Sequence, residues 1–446
     1  MRWLEVFGKP SRKLMTFDIV SPWIREMDDL KRSEPVDGNS HADIAIIGGG
    51  IAGMSTAYYL LQNTDCSVML LERDRVGYGA SGRNGGQGIS SMELSFKDLL
   101  RSFDGATIAG WLNDLESGHE RLKEICGEIG YRNGPIETTV WSGFSSIHEV
   151  QDYLEEMRLR SLFDAPVRPL IVEEGTLANV QVPPGLEGLV STGTLQEIMK
   201  VLHTRERYIA AYPAPVSLGN SGRLSRAIAQ YLADKYPDRF ALHEKSPVVK
   251  TVLDGTVKVH ANGHTVTAKI AVLCTNGYPL PEFESAERPM VASTLRRYVA
   301  SMVAHESEEK KGAGAYIYYH EEGDPEEEPY FYLTRRSFLV NGKDLVTVGG
   351  PQQQISEELD HHSEYPEGIY QRIEGFLDRS YPEKLDGQNG MRWNGLMGYT
   401  ADGTRMIGPD PNIPGLWYNM GCNGVGFLYS IVGGKKVAER VKGMWG

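Results

Sequence analysis

Glycines at fixed spacing are the first residues in this chain that could support chemistry. Gly48, Gly50 and Gly53 stand in G-x-G-x-x-G order, and Glu72 follows 19 positions after Gly53. Ala45, Ile46 and Ile47 form a short apolar run before them. Met54, Ala57 and Leu61 fall on one helical face after them, and a second apolar run, Val68 to Leu71, ends at Glu72. Strand, tight turn, helix, strand and acid, in that order, make the βαβ unit that holds a dinucleotide. Gly48 permits the turn, Gly50 lets a pyrophosphate approach the backbone, and Gly53 lets the helix pack close to the strand. The phosphates would face the helix N-terminus, where free N–H groups and the helix dipole favour anions. Glu72 sits where an acid takes the ribose hydroxyls, and its charge excludes a 2′-phosphate there. This motif alone does not separate FAD from NAD.

Two further glycine-rich stretches could serve the same ligand. The loop from Gly77 to Gly88 carries Ser81, Arg83, Asn84 and Gln87. It leaves the βαβ unit, and a glycine-rich backbone can lie along a flat ring; a surface loop is the alternative. Near the other end, the apolar run Leu416 to Met420 leads into Gly421-Cys-Asn-Gly-Val-Gly426 and then a helix, again an anion or carbonyl site by geometry. No Ser/His/Asp or Cys/His constellation and no metal-ligand spacing stands out. The acidic run Glu321 to Glu328 lacks the pattern of a calcium loop and reads as a solvated hairpin tip. His361 and His362, in a polar run, receive no role.

The elements that must position these glycines follow from periodicity and composition. At 446 residues the chain is long enough for about three domains. The net charge of -13 disfavours nucleic acid and anionic membranes as partners. Cys66, Cys126, Cys274 and Cys422 are far apart, which predicts free thiols and a cytoplasmic protein. The first residues lack the apolar core of a secretory leader, so none is expected. Ala42 to Leu61 is apolar, but Asp43 and four glycines argue against a membrane helix. Residues 1–40 read as an N-terminal extension, with SPWIREMDDLKR a short helix and Trp23 an anchor. Helices are expected over 93–130, 147–161, 221–236 and 356–385, and strands over 131–142, 247–278 and 288–350. Because the glycine elements lie at opposite ends of the chain, a shared ligand requires a discontinuous nucleotide domain.

Taken together, IIGGGIAGMSTAYYL with LLER, GYGASGRNGGQ, AKIAVLCTNGY, and GYTADGTRMIG followed by GCNGVGFLYSIVGGKKVAE resemble the FAD-dependent D-amino-acid-oxidase-like (DAO) superfamily, in order and over most of the chain. The γ-glutamylputrescine oxidase branch looks most similar, with glycine and sarcosine oxidases more distant. The resemblance implies an α/β protein (α+β overall). A Rossmann-like FAD-binding domain would be built from 41–100, 186–278 and 390–446. A mixed or antiparallel-sheet substrate domain would be built from 101–185 and 279–389. It implies that Ile51, Ala52 and Gly53 face the pyrophosphate and that Glu72 and Arg73 face the adenosine ribose. Ala80, Ser81, Gly82, Arg83, Asn84, Gly85, Gly86 and Gln87 would line the isoalloxazine and its phosphates. Val248 or Val249 would contact adenine through the backbone, and Thr275 and Asn276 would close over the nucleotide. Gly424, Val425, Gly426, Phe427 and Leu428, after Gly421, would turn N–H groups toward the flavin O2 edge.

Two departures from the family shape the expectation. Some members attach FAD through a cysteine just before the Tyr-Thr of the GYT element; here Met397 and Gly398 precede Tyr399, so non-covalent FAD is expected. Sarcosine-type members place a lysine after the last glycine turn to hold a carboxylate; here Leu428 stands there, which leaves an amine more open as substrate. The implied reaction is oxidation of a C–N bond of an amine or amino acid to an imine, with electrons passed to O2 to give H2O2. Tyr332, Tyr399, Gln87 and Arg297 (beside Arg296) are the candidates for the substrate and flavin face. A dehydrogenase passing electrons to a quinone or carrier, and a non-catalytic flavin-binding subunit, are the alternatives.

Overall fold

Strands that are apolar on both faces must be buried on both faces. Ile44–Ile47, Val68–Leu71 and Ile270–Leu273 are fully buried and form the middle of a six-stranded sheet. Its order is Phe240–His243, Val68–Leu71, Ile44–Ile47, Ile270–Leu273, Leu416–Met420, Met406–Pro409. The first five are parallel and the last is antiparallel. The computed structural model from which this architecture is read describes residues 17–27, 33–307, 309–319, 330–355, 367–383, 385 and 390–445. Alternate side chains of these strands enter two different cores. Ile44, Ile46, Val68 and Leu70 meet residues of the helices Ile51–Asn63, Ser221–Lys235 and Phe427–Trp445. Ala45, Ile47, Met69 and Leu71 meet a five-stranded sheet built around Val248–Leu253, Val257–Ala261 and His264–Ala268.

An eleven-stranded sheet forms the other half of the molecule. Its centre is largely antiparallel: Gly390–Thr400, Leu295–Ser307, Asp344–Ile355, Tyr330–Ser337 and Gly314–Tyr319 are neighbours in that order. Ile136–Phe144 and Ala210–Leu218 continue it, and Gln87–Ile89 pairs with Ala210–Leu218 at its near side. The glycine loop that leaves the parallel sheet therefore ends as a strand of the large sheet. The expected helix over 93–130 is two helices, Phe96–Leu99 and Gly105–Glu128, because Ser95 and Asp104 each cap a new start. The strand expected over 131–142 is Ile136–Phe144; Gly130 and Pro135 hold its entry as a turn. In the last expected helix the described part is Glu367–Ser380. The acidic run 321–328 and His361 and His362 lie outside the described residues. Among the described residues no helix is long and apolar enough to cross a membrane, and no cluster of acidic, His and Cys side chains could hold a metal ion.

The N-terminal segment is threaded into the body rather than laid on it. Phe17–Asp18 pairs parallel to Gly390–Met391. Pro22–Arg25 is a helical turn capped by Ser21, and Trp23 within it is 0% exposed, which is the anchor its size suggests. Trp23 Nε1 donates to the Asn84 carbonyl at 2.5 Å, so the anchor grips the glycine loop. The buried Glu26 carboxylate accepts from Arg336 Nη2 at 2.6 Å, Asn220 Nδ2 at 2.9 Å and the Leu339 N–H at 3.0 Å. Glu26→Ala would leave Arg336 buried without its counter-charge. The expected loss is about 3–5 kcal/mol, read from the urea unfolding midpoint; a loss under about 1 kcal/mol would mean the pair is not a staple.

Candidate active site

The first glycine turn has no room for side chains on its inner face. Gly48 has φ +109°, and a Cβ there would lie 2.8 Å from the Cys274 carbonyl oxygen. A Cβ on Gly53 would lie 1.9 Å from the Gly48 carbonyl oxygen. At Gly50, by contrast, a Cβ would meet only Ser81 Oγ, at 3.0 Å, so the turn is open on the side a ligand would use. Gly50 is the N-cap of the helix Ile51–Asn63, and the Ile51 N–H donates to Ser81 Oγ at 2.9 Å. Glu72 accepts from the Gly49 N–H at 2.6 Å and the Asp74 N–H at 2.8 Å. Burial pushes its carboxyl up to about 7, against the pull of those two N–H groups.

The second glycine loop docks on the first turn, because the Gly77 N–H donates to the Gly49 carbonyl at 3.0 Å. Its own carbonyls are held from three directions. Trp23 takes Asn84, Trp393 Nε1 donates to the Arg83 carbonyl at 3.0 Å, and Thr334 Oγ1 donates to the Gly85 carbonyl at 2.6 Å. A Cβ on Gly85 would sit 2.7 Å from the Tyr332 ring, so only glycine fits under that tyrosine.

The C-terminal turn arrives from the opposite end of the chain. Gly421 and Gly424 both have φ +76°, and Asn423 has φ +45°. Asn276 Oδ1 accepts from the Cys422 N–H at 3.0 Å and Asn423 Oδ1 from the Thr400 N–H at 2.8 Å, which ties this turn to the return strand and to the large sheet. Ser55 Oγ donates to the Ser430 carbonyl at 2.8 Å, so the first turns of Ile51–Asn63 and Phe427–Trp445 lie side by side.

All three glycine elements line one cavity of about 850 Å³ between the two large sheets. Among the expected residues, Gly48, Gly50, Ile51, Ala52, Glu72, Arg73, Ala80, Ser81, Arg83, Asn84, Gly85, Gln87, Val248, Thr275, Asn276, Gly424, Val425, Gly426 and Phe427 line it, as do Tyr332 and Tyr399. Others have different positions. Gly53, Gly82, Gly86 and Gly421 shape the turns from behind. The Val249 side chain points outward and is 62% exposed while Val248 lines the cavity, so a contact from Val249 would be through its backbone. Leu428 is buried against Gly88 and Gly118 in the helical core. Arg297 sits on the strand paired with Gly398 and does not reach the cavity, so the positive charge expected from it is not delivered there.

The candidate side chains have defined partners. Tyr399 OH donates to Gln352 Oε1 at 2.9 Å and stands beside Gly424, where a Cβ would be 2.8 Å from it. Tyr332 OH donates to the Met302 sulfur at 3.0 Å, and its ring is clasped between Gly85 and Gly349. Gln87 Nε2 donates to the Leu333 carbonyl and to Thr334 Oγ1, both at 3.0 Å.

Sequence reasoning missed the wall beyond these residues. Phe144, Tyr153, Tyr212, Tyr319 and Tyr330 all line the cavity. Tyr153 and Tyr212 are 4.5 Å apart between ring centroids, Phe144 and Tyr319 5.3 Å, and Tyr319 and Tyr330 5.7 Å. Alternating aromatics in AYIYY and YFYL were the available signal, but the strand partners that gather them are distant in sequence. Glu93 was also missed: it accepts from Tyr330 OH at 3.4 Å, and its other oxygen lies 3.1 Å from the Cβ position of Gly424. Two buried polar atoms at the glycine elements, Thr275 Oγ1 and Arg83 Nη1, have no hydrogen-bond partner among the described residues. An elongated cavity with open glycine turns, two helix N-termini and spare polar atoms fits a dinucleotide with a flat ring at one end.

Comparison with known proteins agrees with this geometry. The family model described as FAD dependent oxidoreductase (DAO) matches residues 43–440. The γ-glutamylputrescine oxidoreductase of Escherichia coli (strain K12) is 36% identical over 99 residues, 21% of this chain and 23% of that protein. A probable oxidoreductase OrdL of Rhizobium meliloti (strain 1021) is 24% identical over 416 residues, 91% of this chain and 84% of that protein. The crystal structure of glycine oxidase from Geobacillus kaustophilus superposes with TM-score 0.64 at 16% identity, covering 90% of this chain and 95% of that one. That of an L-proline dehydrogenase from P. horikoshii does so with TM-score 0.61 at 17% identity, covering 91% and 94%. The Rossmann-like fold is thus shared with enzymes of this kind, and the chain belongs to the DAO family of FAD-dependent oxidoreductases, related to amino-acid and amine oxidases.

Proposed function

We propose that this enzyme oxidises a C–N bond of a small amine to an imine, which water then hydrolyses, and that the electrons pass to O2 to give H2O2. The carrying observation is the aromatic wall of the cavity: five rings, with Glu93 between Tyr330 and the Gly424 turn that Tyr399 also touches. Ring faces attract an ammonium group and an acid holds it or takes its proton. The cavity arginines on that side are already neutralised, Arg168 by Glu116 at 2.5 Å and Arg160 by Glu156 at 2.8 Å, which disfavours a substrate recognised by its carboxylate. The redox step, acceptance of two electrons from the substrate and their passage to O2, is supplied by FAD when bound. The chain's part is to hold the amine neutral, to present its α-carbon and to exclude water. Tyr399 and Gln352 form the substrate-facing pair, and Tyr332 and Gln87 hold the glycine loop in place.

FAD in this reading is non-covalent, since Met397 and Gly398 occupy the positions before Tyr399, and acid precipitation is expected to release all of it. Three buried thiols and the half-buried Cys422, none of them in a disulfide, suit a reducing, cytoplasmic setting. Transfer of electrons to a quinone or carrier protein is the second reading, because the same fold carries a protein described as an L-proline dehydrogenase.

Anaerobic mixing with a panel of amines, polyamine conjugates, N-methyl amino acids and D-amino acids tests the reading. Bleaching of the flavin by an amine, with peroxide on admitting air, is expected; bleaching by none of the panel would overturn it, and bleaching with slow re-oxidation in air would favour the second reading. Tyr399→Phe is expected to lower kcat/KM about tenfold with FAD content unchanged, and a change under about twofold would remove Tyr399 from the substrate's wall.

Glu72 generates a pH prediction for the flavin-free protein. Its carboxyl is raised from 4.5 to about 7 in the folded state. Between those values the folded chain binds the proton more tightly than the unfolded one, so this group's contribution to stability falls as pH rises through that window. Glu72→Gln is expected to reduce the stability difference between pH 5 and pH 8 by on the order of 2 kcal/mol, read by urea unfolding at each pH. An unchanged difference would contradict a buried, proton-sharing Glu72.

A further inference from the structure

Arg405 carries a charge that the fold leaves without a counter-ion. It precedes the strand Met406–Pro409 and reaches the point where the first turns of Ile51–Asn63 and Phe427–Trp445 meet. Its Nη2 donates to Ser430 Oγ at 2.9 Å and to Asn419 Oδ1 at 3.1 Å, and its Nε to the same Asn419 oxygen at 3.3 Å. Asn419 in turn donates to the Ala52 carbonyl at 3.2 Å and to Thr56 Oγ1 at 3.0 Å. One amide therefore separates the guanidinium from the first turn of the βαβ helix. All of these partners are neutral, and Arg405 Nη1 is buried with no hydrogen-bond partner. Among the described residues no carboxylate lies within ion-pair distance of it, whereas Arg160 and Arg168 each have one. Tyr429 and the thiols of Cys274 and Cys422 complete its surroundings.

A guanidinium held in a low-dielectric site without an anion is costly. Such a group persists when a ligand supplies the missing charge. Arg405 lines the cavity together with Ala52, Asn419 and Ser430, at the level of the two helix N-termini. Both helix dipoles and the guanidinium thus point the same sign of potential at one short stretch of the cavity. At the start of Ile51–Asn63 the expected ligand carries its negative charge on two linked phosphates; the start of Phe427–Trp445, expected to face the flavin O2 edge, lies beside it.

We propose that Arg405 is the counter-charge of the FAD pyrophosphate, a cofactor-binding residue that sets FAD affinity through the phosphates rather than through the flavin ring. The inference rests on the FAD reading above. It makes the wall between the two helix starts, and not only the glycine backbone, responsible for holding the phosphates.

The test uses the full chain stripped of flavin and titrated by fluorescence with FAD, with riboflavin, which has no phosphate, and with ADP, which has no flavin. Arg405→Met is expected to weaken FAD and ADP by at least about tenfold and riboflavin by less than about twofold, and to flatten the salt dependence of FAD binding. Arg405→Lys is expected to recover most of the loss. Should the methionine variant lose its native circular dichroism, Arg405→Gln, which keeps a donor but no charge, carries the same comparison. Equal FAD affinity in wild type and charge-free variant would overturn the proposal while leaving the FAD reading intact. An equal loss for FAD and riboflavin would overturn it as well, since that marks a structural role. A wild-type chain that binds none of the three would overturn the FAD reading itself.

Discussion

The close approach of backbone to backbone at Gly48 and Gly53 is the constraint on which the rest of the site depends. The helix Ile51–Asn63 can start where it does only because no side chain separates Gly53 from the Gly48 carbonyl, and the return strand can pass Gly48 only because Cys274 meets no Cβ there. Moving that helix by the width of one methyl group would displace the N–H groups at its start. It would also displace Ser81, whose Oγ accepts from the Ile51 N–H, and the glycine loop hung from Gly49. Ala52, Thr56 and Ser55 lie on the same helix, so the C-terminal turn joined through Asn419 and Ser430 would move too. Packed interiors do not absorb such shifts gradually.

The site also inverts the electrostatics of the molecule around it. The chain is strongly acidic overall, yet the end of the cavity expected to meet phosphates is ringed by helix N-termini and by the buried Arg83 and Arg405. Farther along, the wall is aromatic, and Glu93 stands between Tyr330 and the Gly424 turn. A dinucleotide anion and a protonated amine would thus enter regions of opposite local potential within one cavity, which separates cofactor recognition from substrate recognition without a second pocket.

Local pattern made the cofactor end legible. The alternation of glycine, apolar run and acid is contained in about 30 residues of one βαβ unit, and every residue read from it directly lies at or just behind the cavity wall. The family resemblance extended this to Ser81, Thr275 and Phe427. Where the reading failed, the deciding fact was strand pairing. The Val249 side chain points away from the cavity that Val248 lines, and Arg297 lies on a stretch of strand whose neighbours Arg296 and Tyr298 do not line it either. The wall of Phe144, Tyr153, Tyr212, Tyr319 and Tyr330 is gathered by pairings such as Ala315 with Val140, which no local periodicity encodes. Trp23 was legible as an anchor, but not that it grips the glycine loop at Asn84 or that Glu26 three residues on pairs with Arg336, because those partners are remote in sequence. Arg405 lay inside a motif read for Met397, Gly398 and Tyr399, and its importance rests on what is missing around it.

The central claim is that glycine elements from both ends of the chain enclose one FAD. Equilibrium titration of the flavin-free protein with FAD and with NAD, followed by flavin fluorescence and by calorimetry, tests it most directly. The account predicts one FAD per chain, bound far more tightly than NAD. Absence of FAD binding, or a preference for NAD, would contradict it.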